Sequence, residues 1–251
     1  HGRHGQAFVS QHFMRLLGDE QPVWAFQARG LDGASEPHAS LEAMADEYLA
    51  EMRSVRPRGP YFLGALCAGV FIVTIMARRL RDAGETVLPL LLLDPPNSVF
   101  QPGFLNMSPQ RFEEKMRARK EDGGSGGPLD DPAYMKALIR TVLAFERAIA
   151  LHRPLPYHGD AFMLSSSVRI RGEDAAYFAQ MFAGNVVRHE IGTTHRNAMS
   201  PHNPAFARAL LHSVERIRAA ARDLAHEAPS TSANGTANET ARGTANETAR
   251  G

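Results

Sequence analysis

Apolar residues along the chain follow two different periods. Over 41–55, Leu41, Met44, Ala45, Tyr48, Leu49 and Met52 recur every three or four positions, the spacing of one helix face. Pro57 and the Gly59-Pro60 pair end that helix. Ala68 to Ala83 forms a second helix of about four turns, with Gly84 as its C-terminal stop. Tyr61 to Leu66 is an apolar run that leads into this second helix, and Val87 to Leu93 is a continuous apolar run that follows it, closed by Pro95 and Pro96. A run without polar alternation suits a strand buried on both faces. Strand, helix and strand in this order make a βαβ unit, which predicts an α/β fold with a parallel sheet covered by helices.

The flanks extend the pattern. His1 to Gly5 (H-G-R-H-G) is a loop, Gln6 to Leu17 a helix, and Pro22 to Gln27 (P-V-W-A-F-Q) a short strand. Asn97 to Leu151 breaks the alternation with a charged helix at Ser108 to Lys120, a G-G-S-G-G spacer at Gly123 to Gly127, and a helix at Asp131 to Leu151. An insertion of this size is either a lid over a site, spanning about 97–151, or an ordinary helical excursion. Asp160 to Ser165 and Val186 to Ile191 resume as strands, and Phe206 to Leu224 is the closing helix. The folded domain is expected over 1–228. In the remainder, 229–251, G-T-A-N-E-T-A-R occurs twice, at 235–242 and 243–250. Two copies cannot stack into a repeat fold, and a stretch without large apolar residues is expected to be disordered.

Composition changes this picture little. Of 251 residues, 43% are hydrophobic and 22% charged, and the net charge is +1, so charge supplies no argument for nucleic acid or membrane as a partner. The longest apolar run is far short of the roughly 20 residues of a membrane helix, and no signal peptide is evident, so a cytoplasmic setting is expected. The first residue is His rather than Met, and the sequence is expected to be a segment of something longer. One cysteine excludes an internal disulfide and a cysteine-based zinc site.

That cysteine, Cys67, sits where the first strand meets the long helix, within G-A-L-C-A-G. The run resembles the nucleophile elbow G-x-S-x-G, with Ala65 in place of the first Gly and Gly69 kept. A thiol at a helix N-terminus is favoured as thiolate, and the amide of Ala68 is placed to donate to an oxyanion. Two readings are open at this point: an activated nucleophile, or a small buried apolar residue.

The wider sequence R-G-P-Y-F-L-G-A-L-C-A-G, the helix ending M-A-R-R-L-R-D-A-G and the strand ending L-L-L-L-D resemble the thioesterase domains of nonribosomal peptide and polyketide synthases. W-A-F-Q-A-R-G-L-D-G (Trp24 to Gly33) and H-R-P-L-P-Y-H-G (His152 to Gly159) extend the similarity over roughly residues 1–225. The resemblance implies an α/β-hydrolase fold with a helical lid and a triad of Cys67, Asp94 and His195 in that order. His195 lies in G-T-T-H after the last strand, with Met199 four positions on. It also implies a second oxyanion donor from the loop H-G-R-H-G, the amide of Arg3 with Gly2 as neighbour, although the strand the family carries before this loop is missing from the sequence. The resemblance further implies that no cofactor is intrinsic and that the substrate arrives as a thioester on phosphopantetheine, carried by a peptidyl carrier domain that is expected to belong to the same megasynthase.

Most relatives use Ser. Cysteine-bearing members are associated with release of β-lactam and β-lactone rings, so strained-ring cyclisation is expected ahead of hydrolysis or macrocyclisation. The alternatives are a stand-alone editing (type II) thioesterase, a thiol-dependent hydrolase of lactones, and a non-catalytic binding module. Asp160, Glu173 and Asp174 are weaker candidates for the acid. His1, His4, His152, His158, His189 and His202 have bland readings as loop, surface or packing residues. Lys115, Arg117, Arg119 and Lys120 suit either an acidic carrier surface or a solvated face, and Trp24 either an acyl pocket or the core.

Overall fold

The computed structural model describes residues 1–7, 9–96, 108–114, 130–166, 180–194, 197–200 and 202–227. Four parallel strands form one sheet in the order β1 (Gly64–Leu66), β2 (Leu90–Leu93), β3 (Ala161–Ser165) and β4 (Val186–Glu190). The helices are α1 (Gln11–Leu17), α2 (Leu41–Val55), α3 (Val70–Asp82), α4 (Pro132–Leu151) and α5 (Pro204–Glu227).

Side chains alternate across the sheet with the period of a strand. Ala65, Leu90, Leu92, Ala161 and Met163 face one way, into a core shared with α2, α3 and the C-terminal half of α4. Leu91, Leu93, Phe162 and Leu164 face the other, against α1 and α5 through Leu17, Phe206, Leu210, Val214 and Ile217. Every residue of β2 is buried, as its unbroken Leu run predicts. The result is the expected three-layer α/β architecture.

Helix starts follow side-chain caps. The Ser40 hydroxyl accepts from the Ala43 amide, and the Asp131 carboxylate accepts from the Ala133 amide with Pro132 opening the helix. The first helix begins at Gln11 rather than Gln6, because the Ser10 hydroxyl takes the Phe13 amide and Ser10 itself stays extended. Pro22 to Gln27 joins no strand among the described residues, and Trp24 is 64% exposed rather than packed in the core. Of the predicted charged helix, 109–114 is helical, and 115–120 lies outside the described residues. The glycine spacer and the tail 229–251 lie outside them too. Among the described residues no helix is long and apolar enough to cross a membrane.

Candidate active site

Strand register brings the first two predicted residues together. Leu66 of β1 pairs with Leu93 of β2, so Cys67 and Asp94 leave the sheet at the same level of its C-terminal edge. This is where sites form in open α/β sheets. Both residues have a left-handed backbone, Cys67 with φ 50° and Asp94 with φ 44°, and among the described residues they are the non-glycine positions with positive φ. That conformation costs about 1–3 kcal/mol per residue and is kept where surrounding structure demands it. At Cys67 the demand is the reversal from β1 through the tight turn Cys67–Gly69 into α3. The turn leaves no room for side chains on its inner side: a Cβ at Gly69 would abut the carbonyl of His1 and stand 3.6 Å from the Ala65 Cβ. Glycine at position 69 is therefore a steric requirement, and the small Ala65 keeps its Cβ at ordinary contact distance from that position.

Cys67 is 8% exposed and Asp94 only 1%. A buried carboxylate needs hydrogen-bond donors. The Ser166 amide, just past the end of β3, donates to Asp94 Oδ1 at 2.8 Å, and the Asp94 amide donates to the Leu164 carbonyl at 2.7 Å. The two bonds pin the Asp94 side chain and main chain to the neighbouring strand. His195 lies outside the described residues. The loop that carries it leaves β4 through Ile191, which is buried, and Gly192 at φ 57°. It resumes where the Asn197 amide donates to the Thr194 carbonyl at 3.0 Å. Met199 packs on the core beneath α5.

The loop His1–Gly5 lies beside the elbow. A Cβ on Gly2 would stand 3.6 Å from the Leu66 Cγ, one residue before Cys67. The Gly5 amide donates to the Gly2 carbonyl at 3.1 Å, and the Gly5 carbonyl accepts from the Ala28 amide at 2.7 Å. The His1 ring packs edge-on against Tyr48 and Phe145, with Nε2 2.7 Å from the Tyr48 hydroxyl. Burial, then the nearby Glu51 and Glu47 carboxylates, pushes the Tyr48 phenol up, so it remains a neutral hydroxyl. Arg3 forms an ion pair with Glu146 of α4. Ala68, the first residue after the nucleophile candidate, is fully buried within the turn.

The other candidates fall elsewhere. Asp160 precedes β3 at the opposite edge of the sheet, and its Oδ1 accepts from the Asn185 amide at 3.1 Å. Glu173, Asp174, Lys115, Arg117, Arg119 and Lys120 lie outside the described residues. His4 packs against Phe112, His152 pairs with Glu42, and His189 stacks on Phe162 beside His212. His158 and His202 are exposed. Among the described residues no three His, Cys, Asp or Glu side chains could hold a metal ion. Sequence reasoning missed Ser166 and Glu146. Ser166 acts through its main chain, which leaves no mark in a sequence. Glu146 did leave one, as an acid inside the apolar run V-L-A-F-E-R-A-I.

Comparison with known proteins agrees with this layout. The family model "Thioesterase domain" matches residues 4–230. The dimodular nonribosomal peptide synthase of Bacillus subtilis (strain 168) is 25% identical over 190 residues, covering 67% of this chain and 8% of the relative. The chain therefore spans less than a tenth of the length of that relative. Among solved structures, the four-domain nonribosomal peptide synthetase AB3403, bound to AMP and glycine, superposes with a TM-score of 0.65 at 22% identity, over 86% of this chain and 19% of that one. The NocB thioesterase domain, in covalent complex with a fluorophosphonate nocardicin G analogue, gives a TM-score of 0.56 at 23% identity over 72% and 77% of the two chains. With a family match across nearly all of the described sheet and helices, and an elbow and an acid at adjoining strand ends, the chain belongs to the thioesterase domain family.

Proposed function

We propose that this thioesterase domain releases an acyl or peptidyl chain from a nonribosomal peptide synthetase, and that Cys67 is its nucleophile. In this reading His195 takes the thiol proton, Asp94 orients the imidazole and stabilises its cation, and the amides of Ala68 and Arg3 hold the oxyanion. Domain 1–228, with the insertion at about 97–151 as its lid, receives its substrate from the phosphopantetheine of a peptidyl carrier domain in the same megasynthase.

The observation that carries the proposal is the pair of left-handed residues, Cys67 and Asp94, on adjoining strand ends. A buried structural cysteine has no need of a strained backbone. The step balances simply. Cys67 sulfur adds to the thioester carbonyl, the carrier thiolate leaves, and the proton held by His195 passes to it. One thioester replaces another, so loading is nearly isoenergetic and the acyl group stays activated. An internal nucleophile of the acyl chain then closes the ring and frees Cys67. Retained activation favours weak internal nucleophiles and strained products, which supports release as a β-lactam or β-lactone over hydrolysis, macrocyclisation or editing.

Incubation with an acyl-loaded carrier domain, followed by intact-mass measurement, tests both parts. The wild type is expected to gain the acyl mass on Cys67, and Cys67→Ala to gain none. Cys67→Ser is expected to load but to hydrolyse or stall. Release of linear acid alone from the wild type rejects cyclisation, and acyl turnover by Cys67→Ala rejects the nucleophile.

A further inference from the structure

Helix α4 meets the loop His1–Gly5 at three places, and the three side chains fall within an arc of about 140° on the helix. The Thr141 methyl faces Gly5, where a Cβ would stand 3.4 Å from Thr141 Cγ2. The Phe145 ring packs edge-on against the His1 ring, with centroids 5.4 Å apart. Glu146 Oε1 accepts from both Nε and Nη2 of Arg3. On its other side the same loop backs onto the elbow, at Leu66 through Gly2 and at Gly69 through the His1 carbonyl. The loop is thus clamped between α4 and the turn that carries Cys67.

The clamp includes one ionic contact, and it is buried. The Glu146 side chain is 4% exposed and that of Arg3 17%. The neighbours of Glu146 along α4, Val142, Phe145 and Ile149, are all at most 1% exposed. A carboxylate there is costly without its cation, and a well-packed apolar pair of similar volume would serve stability at least as well. What the ion pair adds is direction. A guanidinium fork bonded through two nitrogens holds the Arg stem in one orientation, and that stem leaves the same residue whose amide is proposed as the second oxyanion donor.

We propose that the Arg3–Glu146 pair positions the oxyanion loop, so that Glu146 is a positioning residue for acyl transfer although it contacts no reacting atom. The inference rests on the proposed roles of Cys67 and the Arg3 amide, and it assigns α4 a second duty besides packing.

The test uses two reactions of the same thiol. Acyl transfer from an acyl-N-acetylcysteamine thioester passes through a tetrahedral oxyanion. Alkylation of Cys67 by iodoacetamide does not. Glu146→Gln keeps the volume and loses the charge. It is expected to lower kcat for acyl transfer about 10- to 100-fold, below the 10²- to 10³-fold loss typical when an oxyanion donor is removed outright. KM and the alkylation rate constant are expected to stay within about twofold of wild type. Arg3→Met should give the same loss, and the double variant no more than either single one. Should Glu146→Gln fold poorly, Arg3→Lys keeps the charge but not the fork, and is expected to show a loss of about tenfold confined to acyl transfer.

Acyl transfer and alkylation falling in parallel would make the pair a plain structural brace. Unchanged acyl transfer in Glu146→Gln would remove the coupling altogether. Failure of the underlying reading has a different signature: slow alkylation of the wild type, and acyl transfer that survives Cys67→Ala.

Discussion

Gly5 offers a measurement of how tightly the loop His1–Gly5, the proposed source of the second oxyanion donor, is seated. Its φ is +77°, a left-handed value that L residues reach only at a cost of roughly 1–2 kcal/mol. A Cβ there would lie 2.6 Å from the Ala28 Cβ. Ordinary carbon contacts begin at about 3.5 Å, so Gly5→Ala must push the loop and the 28–31 segment apart by about 1 Å. Overpacking of this kind costs roughly 1–3 kcal/mol, for a total of about 2–5 kcal/mol. Gly84 is the control. It has the same φ, +77°, but nothing within 4 Å of the added carbon, and it lies at the end of α3 away from the elbow. Gly84→Ala therefore isolates the backbone contribution. In a chain of this size each kcal/mol lowers Tm by about 2–4 °C. Gly84→Ala should lose a few degrees and keep full activity. Gly5→Ala should lose about 2–12 °C more, and because a misplacement near 1 Å costs about 10²-fold in catalysis, acyl transfer should fall by that order. Thermal melts and acyl-thioester turnover on both variants supply the readings. Equal Tm values for the two would show that the contact with Ala28 is not tight. A destabilised Gly5→Ala with wild-type turnover would show that the loop has no part in the chemistry.

Three other outcomes follow from the same structure. Asp94→Asn keeps an oxygen for the Ser166 amide, so the melting temperature should change little while kcat drops about 10⁴-fold, the size seen when a triad acid loses its charge; a loss below tenfold would demote Asp94. Leu92→Ala, at a fully buried site in β2, should cost about 2–5 kcal/mol in urea unfolding with an unchanged m value. The Asp32 carboxyl is held below its ordinary value of 3.8, first by the Ser35 amide and then by the Ser35 hydroxyl, against a smaller opposing effect of desolvation. A depressed folded value means the contribution is present above pH 3.8 and fades as pH falls through the lower folded value. Asp32→Asn should therefore lower Tm at neutral pH and converge with wild type in acid, and parallel curves at all pH values would contradict the assignment.

The βαβ unit was legible because its signals are local. Val87 to Leu93 is apolar at every position, and a strand with helices on both faces requires just that. Gly59-Pro60 and Gly84 mark the ends of elements in the sequence and in the fold alike. Pro22 to Gln27 shows the limit. Its residues have strand propensity, but a strand exists only through a hydrogen-bonded neighbour, and none pairs with it among the described residues. The expected start of α1 slipped by five residues, because Ser10 competes for an amide that periodicity alone assigns to the helix. At the site, Cys67 and Asp94 were legible by type and spacing, and the register places them side by side. The expectation for His195 falls outside the described residues, as do those for the glycine spacer and the tail. The donors around the pair were not legible, since a main-chain amide such as that of Ser166 can belong to any residue type.

The backbone at Cys67 and Asp94 links the fold to the chemistry more closely than either side chain does. Two non-glycine left-handed residues together cost roughly 2–6 kcal/mol, a large share of the 5–15 kcal/mol by which domains are stable. Glycine at either position would relieve that cost, and Gly5 and Gly69 show that the surrounding turns do use glycine where space demands it. The strain is tolerated because β1 and β2 are short, three and four residues, and each ends against a fully formed neighbour that fixes its direction. A sheet built for stability alone would end these strands in Gly or Asn. That this one ends them in Cys and Asp, buried and side by side, is the backbone feature that supports the proposed roles of the two side chains.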